Sequence, residues 1–143
     1  MNRYWRAAQA LALLAMLNAV GFHGVYTFYI HRGLQPIDGF WGVVAAVSSA
    51  VFIAAPVAAL FGLFRHRVWG FVPLVAFPFA ALVFGISAIP LLGHLVPAGS
   101  ARSVAVGAIN LAFVVAVIYL MRQCMRNAAQ QITQPDGSSA AAG

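Results

Sequence analysis

The run FWGVVAAVSSAVFIAAPVAALFGLF (Phe40–Phe64), the tripeptide Arg65-His66-Arg67 and the run VWGFVPLVAFPFAALVFGISAIPLL (Val68–Leu92) decide how this chain folds. As helices, both apolar runs are long enough to cross a hydrocarbon core about 30 Å thick. The tripeptide between them leaves room only for a tight turn, so the runs predict an antiparallel helical hairpin packed side by side.

Outward from this hairpin lie two further apolar runs, Ala7–Ile30 before it and Ser103–Met121 after it. Four such runs predict an all-α integral membrane protein, a four-transmembrane-helix bundle that fills residues 1–126. Beyond it, residues 127–143 change to Gln130-Gln131 and Pro135-Asp136-Gly137-Ser138-Ser139, which reads as a disordered tail. The composition agrees: of 143 residues 63% are apolar and 7% charged, whereas about a quarter of a soluble domain carries charge. The first run begins like a secretory signal, with Arg3 and Arg6 ahead of it. It continues through Phe22, Val25, Phe28 and Ile30, past a signal core of about 7–15 residues, and so predicts an uncleaved first helix.

The net charge of +6 is a topology signal rather than a nucleic-acid footprint, because the arginines flank the apolar runs. Arg3, Arg6, Arg65, Arg67, Arg122 and Arg126 would share one side of the membrane and leave Arg32 and Arg102 on the other. By the positive-inside rule both termini and the Arg65–Arg67 turn are then cytoplasmic, giving an N-in/C-in protein of the bacterial cytoplasmic (inner) membrane. Tyr4, Trp5, Trp69 and Tyr119 mark its inner interface, and Tyr26, Tyr29 and Trp41 its outer one.

Helices in lipid associate through small residues and polar side chains, since apolar burial gives no preference for protein over lipid tails. Ala8, Ala12, Ala15 and Ala19 form such a row on the first helix, with His23 continuing it. Ala76, Ala80 and Ser87 form one on the third, with His94 two turns above. Ser103, Gly107 and Asn110 form one on the fourth. At 1.5 Å per residue, His23 and Ser87 lie roughly 8–10 Å below the outer interface. Asn18, Ser48 or Ser49, and Asn110 lie near the midplane, where they predict hydrogen bonds between helices. Pro56, Pro73, Pro78 and Pro90 fall within or at the ends of the runs and predict kinks with protein-facing surroundings, the third helix with Pro73 and Pro78 being the most irregular.

For chemistry the sequence offers little. An ionisable residue inside a span is a functional candidate, so His23, Ser87 and His94, with His31 and Asp38 nearby, are the candidates for a proton or ligand site. Two histidines without Cys or Glu beside them fall short of the three or four ligands of a tight metal site. The sequence has no glutamate to exchange protons, and its single cysteine, Cys124, forms no pair. No catalytic residue, metal or cofactor is expected. The expected role is a non-enzymatic subunit or accessory protein whose partners are the bilayer and another membrane protein or its own copies, with no nucleic acid. The alternatives are an oligomeric channel or carrier lined by the midplane polar residues, and an immunity protein against a membrane-active toxin.

Overall fold

The computed structural model describes residues 3–30, 39–83, 88 and 99–133, with side chains except at 23–30, 41–42, 45 and 131–133. Four helices, α1 (Arg3–Ile30), α2 (Gly39–Phe64), α3 (Phe71–Val83) and α4 (Ser100–Thr133), make up nearly all of it, and a 3-10 turn, Val68–Gly70, leads into α3. Among the described residues there is no strand. Helices α1, α2 and α4 contain segments long and apolar enough to cross a membrane, Arg3–Phe22, Ala46–Phe64 and Ser100–Gln130. The Val68–Val83 segment is shorter, about 24 Å at 1.5 Å per residue.

The helices form a closed ring in which α1 packs on α2, α2 on α3, α3 on α4 and α4 back on α1. The row Ala8, Ala12, Ala15 and Ala19 is buried, as its spacing predicts, while the opposite face of α1 presents Leu17, 59% exposed, and Val20, 65% exposed. Phenylalanines fill the space those alanines leave. Phe52 of α2 stacks on Phe77 of α3 at 4.9 Å between ring centroids, and Phe22 of α1 meets Phe52 edge-on at 5.5 Å. Phe113 of α4 lies 6.2 Å from Phe77, so one phenylalanine from each helix joins a continuous aromatic chain.

The α2–α3 hairpin is as tight as the tripeptide requires. The His66 N–H donates to the Leu63 carbonyl at 3.1 Å and the Arg67 N–H to the Gly62 carbonyl at 2.9 Å, with His66 at φ 53°. This is a Schellman termination, in which a left-handed residue satisfies the last carbonyls of the helix. Glycine is the usual occupant; histidine is among the few other residues that visit this region. Above the turn the backbones almost touch. A Cβ on Gly62 would lie 2.7 Å from Gly70 Cα, and one on Gly70 would lie 2.8 Å from Leu63 N. Only glycine at both positions allows this crossing.

Pro56 and Pro78 sit inside α2 and α3 and are fully buried, in the protein-facing surroundings expected of them. Pro73 instead occupies the first turn of α3, where its missing N–H removes no helical bond.

Three features depart from the sequence expectations. Ala88 lies in a bend and donates its backbone N–H to the Asn110 side chain, whereas a helix unbroken from Val68 to Leu92 would direct it four residues back. Helix α4 runs to Thr133, so residues 127–133, read as the start of the tail, are helical; Gln and Ala are good helix formers that extend a long, already nucleated helix. The inward row of α4 is Val106, Asn110, Phe113, Val117, Leu120 and Cys124, while Ser103 is exposed. A Cβ on Gly107 would meet nothing within 4 Å. The Ser103–Gly107 seam is therefore not a contact between described helices, because the face of α4 that packs inward is the one carrying large residues, Phe113 against Phe77 of α3 among them.

Candidate functional site

Asn110 is the most deeply placed polar side chain of α4, 1% exposed and ten residues from its start, about 15 Å along the axis. Its Oδ1 accepts the Ala88 N–H at 2.9 Å, and Ala88 is itself buried. The bond joins α4 to a backbone amide that lies in a bend, five residues beyond the end of α3. In an apolar interior such an amide is costly unless paired, so Asn110 acts here as an internal cap.

Asn18 is likewise buried, and Ser48 and Ser49 are half-buried. The structure does not bring these to one level. Gln9 Nε2 donates to the Leu63 carbonyl at 3.2 Å and Phe22 meets Phe52, which fixes the antiparallel register of α1 and α2. That register sets Asn18 beside Ala55 and Pro56, and Ser48 and Ser49 beyond Phe22, about 10 Å further along. His23 follows Phe22 on α1, with its side chain outside the described residues. Ser87, His94, His31 and Asp38 also lie outside them. Among the described residues no group of three or more His, Cys, Asp or Glu could hold a metal ion.

A second feature lies near the start of α4, where Leu82, Gly99, Arg102, Ser103 and Val106 line an open notch of about 420 Å³. Arg102 is half-buried there. The notch adjoins the outward Ser103–Gly107 seam, so small side chains and space that no described residue fills coincide there.

The opposite end is basic. Tyr4 meets Tyr119 edge-on at 6.4 Å, and Trp5 lies 5.2 Å from the His66 ring and 5.8 Å from Phe71. These contacts gather the start of α1, the α2–α3 turn and the later part of α4 at one end. Arg3, Arg6, Arg65, Arg67, Arg122 and Arg126 are all exposed there. The sequence holds two acidic residues, Asp38 and Asp136, and neither is among the described residues. Arg65 Cζ lies 4.0 Å over the Phe61 ring, whose centroid is 6.4 Å from Trp69. Sequence reasoning marked Arg65 and Trp69 separately but missed their joint setting, although the four-residue step from Phe61 to Arg65 was legible. Cys124 is buried in the inward row of α4, a packing position rather than an accessible thiol.

No protein-family model, curated protein or solved structure matches this chain.

Proposed function

We propose that this chain is a small polytopic protein of the bacterial cytoplasmic membrane, a four-span N-in/C-in bundle acting as a non-enzymatic subunit that packs on a helix of a membrane partner or a second copy. The reading of the environment rests on an inverted distribution of size. Alanines line α1 inside, while Leu17, Val20, Val47, Val57, Leu111 and Val115 point outward. Water would not tolerate so continuous an apolar exterior, whereas lipid is indifferent to it. The gathering of six arginines at one end supports the orientation.

The observation that carries the subunit reading is the outward Ser103-x-x-x-Gly107 seam beside the notch. Small residues four apart let two helices approach closely in lipid, and here no described residue fills that approach. Buried Asn110 favours the same reading over a channel, because its Oδ1 is committed to the Ala88 amide. The test is cross-linking in the native membrane with the wild-type chain and Gly107→Leu. A cross-linked partner, or a dimer, that the substitution abolishes while the bundle still folds supports the proposal. A chain that remains monomeric and uncross-linked in its native membrane overturns it.

A further inference from the structure

Three segments far apart in the sequence converge at the basic end, and their cations have no carboxylate among the described residues. Like charges brought within a Debye length, about 8 Å at physiological salt, raise one another's energy unless an anion sits between them. The α2–α3 turn is the most elaborated part of this end. The Arg65 guanidinium carbon lies 4.0 Å over the centre of the Phe61 ring, a cation–π contact that sets the charge against an apolar face. Arg65 is exposed, and its guanidinium carries the planar fork of N–H donors that matches a phosphate.

Phe61 is 53% exposed and Trp69 47% exposed, and their rings meet at a tilt of 46° with centroids 6.4 Å apart. Arg67 stands on the other limb of the same turn, exposed. The patch therefore has two adjoining parts, cationic at the tip of the hairpin and aromatic on its flank. A free phosphate or an acidic peptide would match only the first. A phospholipid matches both, with its phosphate at the arginines and the start of its acyl chains along the rings, at the depth where tryptophan partitions. The left-handed His66, which places Arg65 and Arg67 on either side of one tight turn, supplies the geometry.

We propose that the α2–α3 turn binds the headgroup of an anionic phospholipid, with Arg65 and Arg67 holding the phosphate and Phe61 and Trp69 flanking the lipid. The inference rests on the membrane reading above. It does not depend on the Gly107 partner seam, which lies at the other end of the bundle.

The experiment uses the full chain in nanodiscs of phosphatidylcholine containing a minor fraction of phosphatidylglycerol. Lipids retained on release into detergent are counted by native mass spectrometry, for the wild type, Arg65→Gln/Arg67→Gln and the opposite-end control Arg102→Gln. An arginine near an anionic surface gives about a fivefold gain in binding, so the double substitution should lower phosphatidylglycerol affinity roughly 25-fold. Arg102→Gln should leave it unchanged. Arg65→Lys/Arg67→Lys should fall between, since charge remains and the planar fork does not. Equal retention of phosphatidylcholine and phosphatidylglycerol by the wild type overturns the proposal, as does unaltered retention by the double variant. Competition by free glycerol phosphate at the concentration of the lipid would also overturn it, by assigning the site to a soluble anion. If the double variant fails to fold, the wild type decides: preferential phosphatidylglycerol retention that high salt removes supports the proposal, and preference that persists in high salt refutes it. A chain that alkaline carbonate extracts from membranes would refute the membrane reading instead, which keeps the two failures distinct.

Discussion

Replacing Gly70 by alanine should destabilise the bundle, although the same substitution elsewhere should stabilise it. The added methyl would lie 2.8 Å from Leu63 N, 3.0 Å from the Ala59 carbonyl oxygen and 3.0 Å from Gly62 C. All three are backbone atoms, so no side chain can rotate away, and reaching an ordinary contact of 3.4 Å requires α2 and the 3-10 turn to part by about 0.6 Å. Overpacking of this kind costs about 1–3 kcal/mol, against about 0.4–1 kcal/mol gained by restricting the unfolded chain. The net expectation is a loss of about 1–2 kcal/mol. Gly21 is the control: it lies inside α1 with nothing within 4 Å of its would-be Cβ, so Gly21→Ala should gain about 0.5–1 kcal/mol. Denaturation by dodecyl sulfate from mild-detergent micelles, followed by tryptophan fluorescence, measures both. Trp69 is well placed to report, since its ring lies 3.2 Å from the Cβ position of Gly62. The reasoning fails if Gly70→Ala is as stable as the wild type, or if both substitutions shift stability in the same direction.

Asn110→Leu should cost about 1–3 kcal/mol by leaving the buried Ala88 N–H without its acceptor, and should speed exchange of that amide; unchanged exchange at Ala88 would contradict its role as a cap. At His66, where φ is 53°, a β-branched residue is strained, so His66→Ile should destabilise by about 1–2 kcal/mol while His66→Asn stays near wild type; equal stability of the two variants would count against the left-handed turn. Phe77 links the aromatic chain between α2 and α4, and Phe77→Ala should cost about 3 kcal/mol or more in the same denaturation assay, a loss below 1 kcal/mol being incompatible with its full burial.

What the sequence disclosed followed from features with one physical reading. The alanine row of α1 recurs at three and four residues, and such a row has a use only against another helix. The Arg65–Arg67 tripeptide is too short for anything but a hairpin. What it concealed follows from the solvent proposed here. In water, apolar periodicity points to the core; where both surroundings are apolar it points nowhere, and residue size has to serve instead. Size worked for α1 and misled for α4, where the large residues Phe113, Val117 and Leu120 are the buried ones and Phe113 meets Phe77 of α3. The Gly62–Gly70 crossing was hidden differently: two glycines flanking a turn have many ordinary explanations, and only the backbone geometry shows that a methyl has nowhere to go. Asn110 was legible as one end of a hydrogen bond between helices, but its partner was not, since nothing in an apolar run marks the Ala88 amide as the donor.

The same bond bears on what the bundle can do. A conduit for a polar solute needs side-chain groups that exchange partners with the solute as it passes, and so must be left with hydrogen-bonding capacity facing a continuous space. Here the acceptor oxygen of Asn110 is bound at 2.9 Å to a backbone amide, and Phe52, Phe77 and Phe113 occupy the interior as a continuous aromatic series. Displacing that amide to admit a solute would leave a buried donor unpaired, at a cost of about 1–3 kcal/mol for as long as the solute stays. Asn110 thus fastens α4 to the Ala88 backbone, and the small-residue seam, which no described residue fills, falls on the outside next to the notch at Arg102. If Asn110→Leu lowered stability while leaving the Gly107-dependent cross-link intact, fastening and docking would be separable properties, one internal and one external, as a subunit requires and a pore does not.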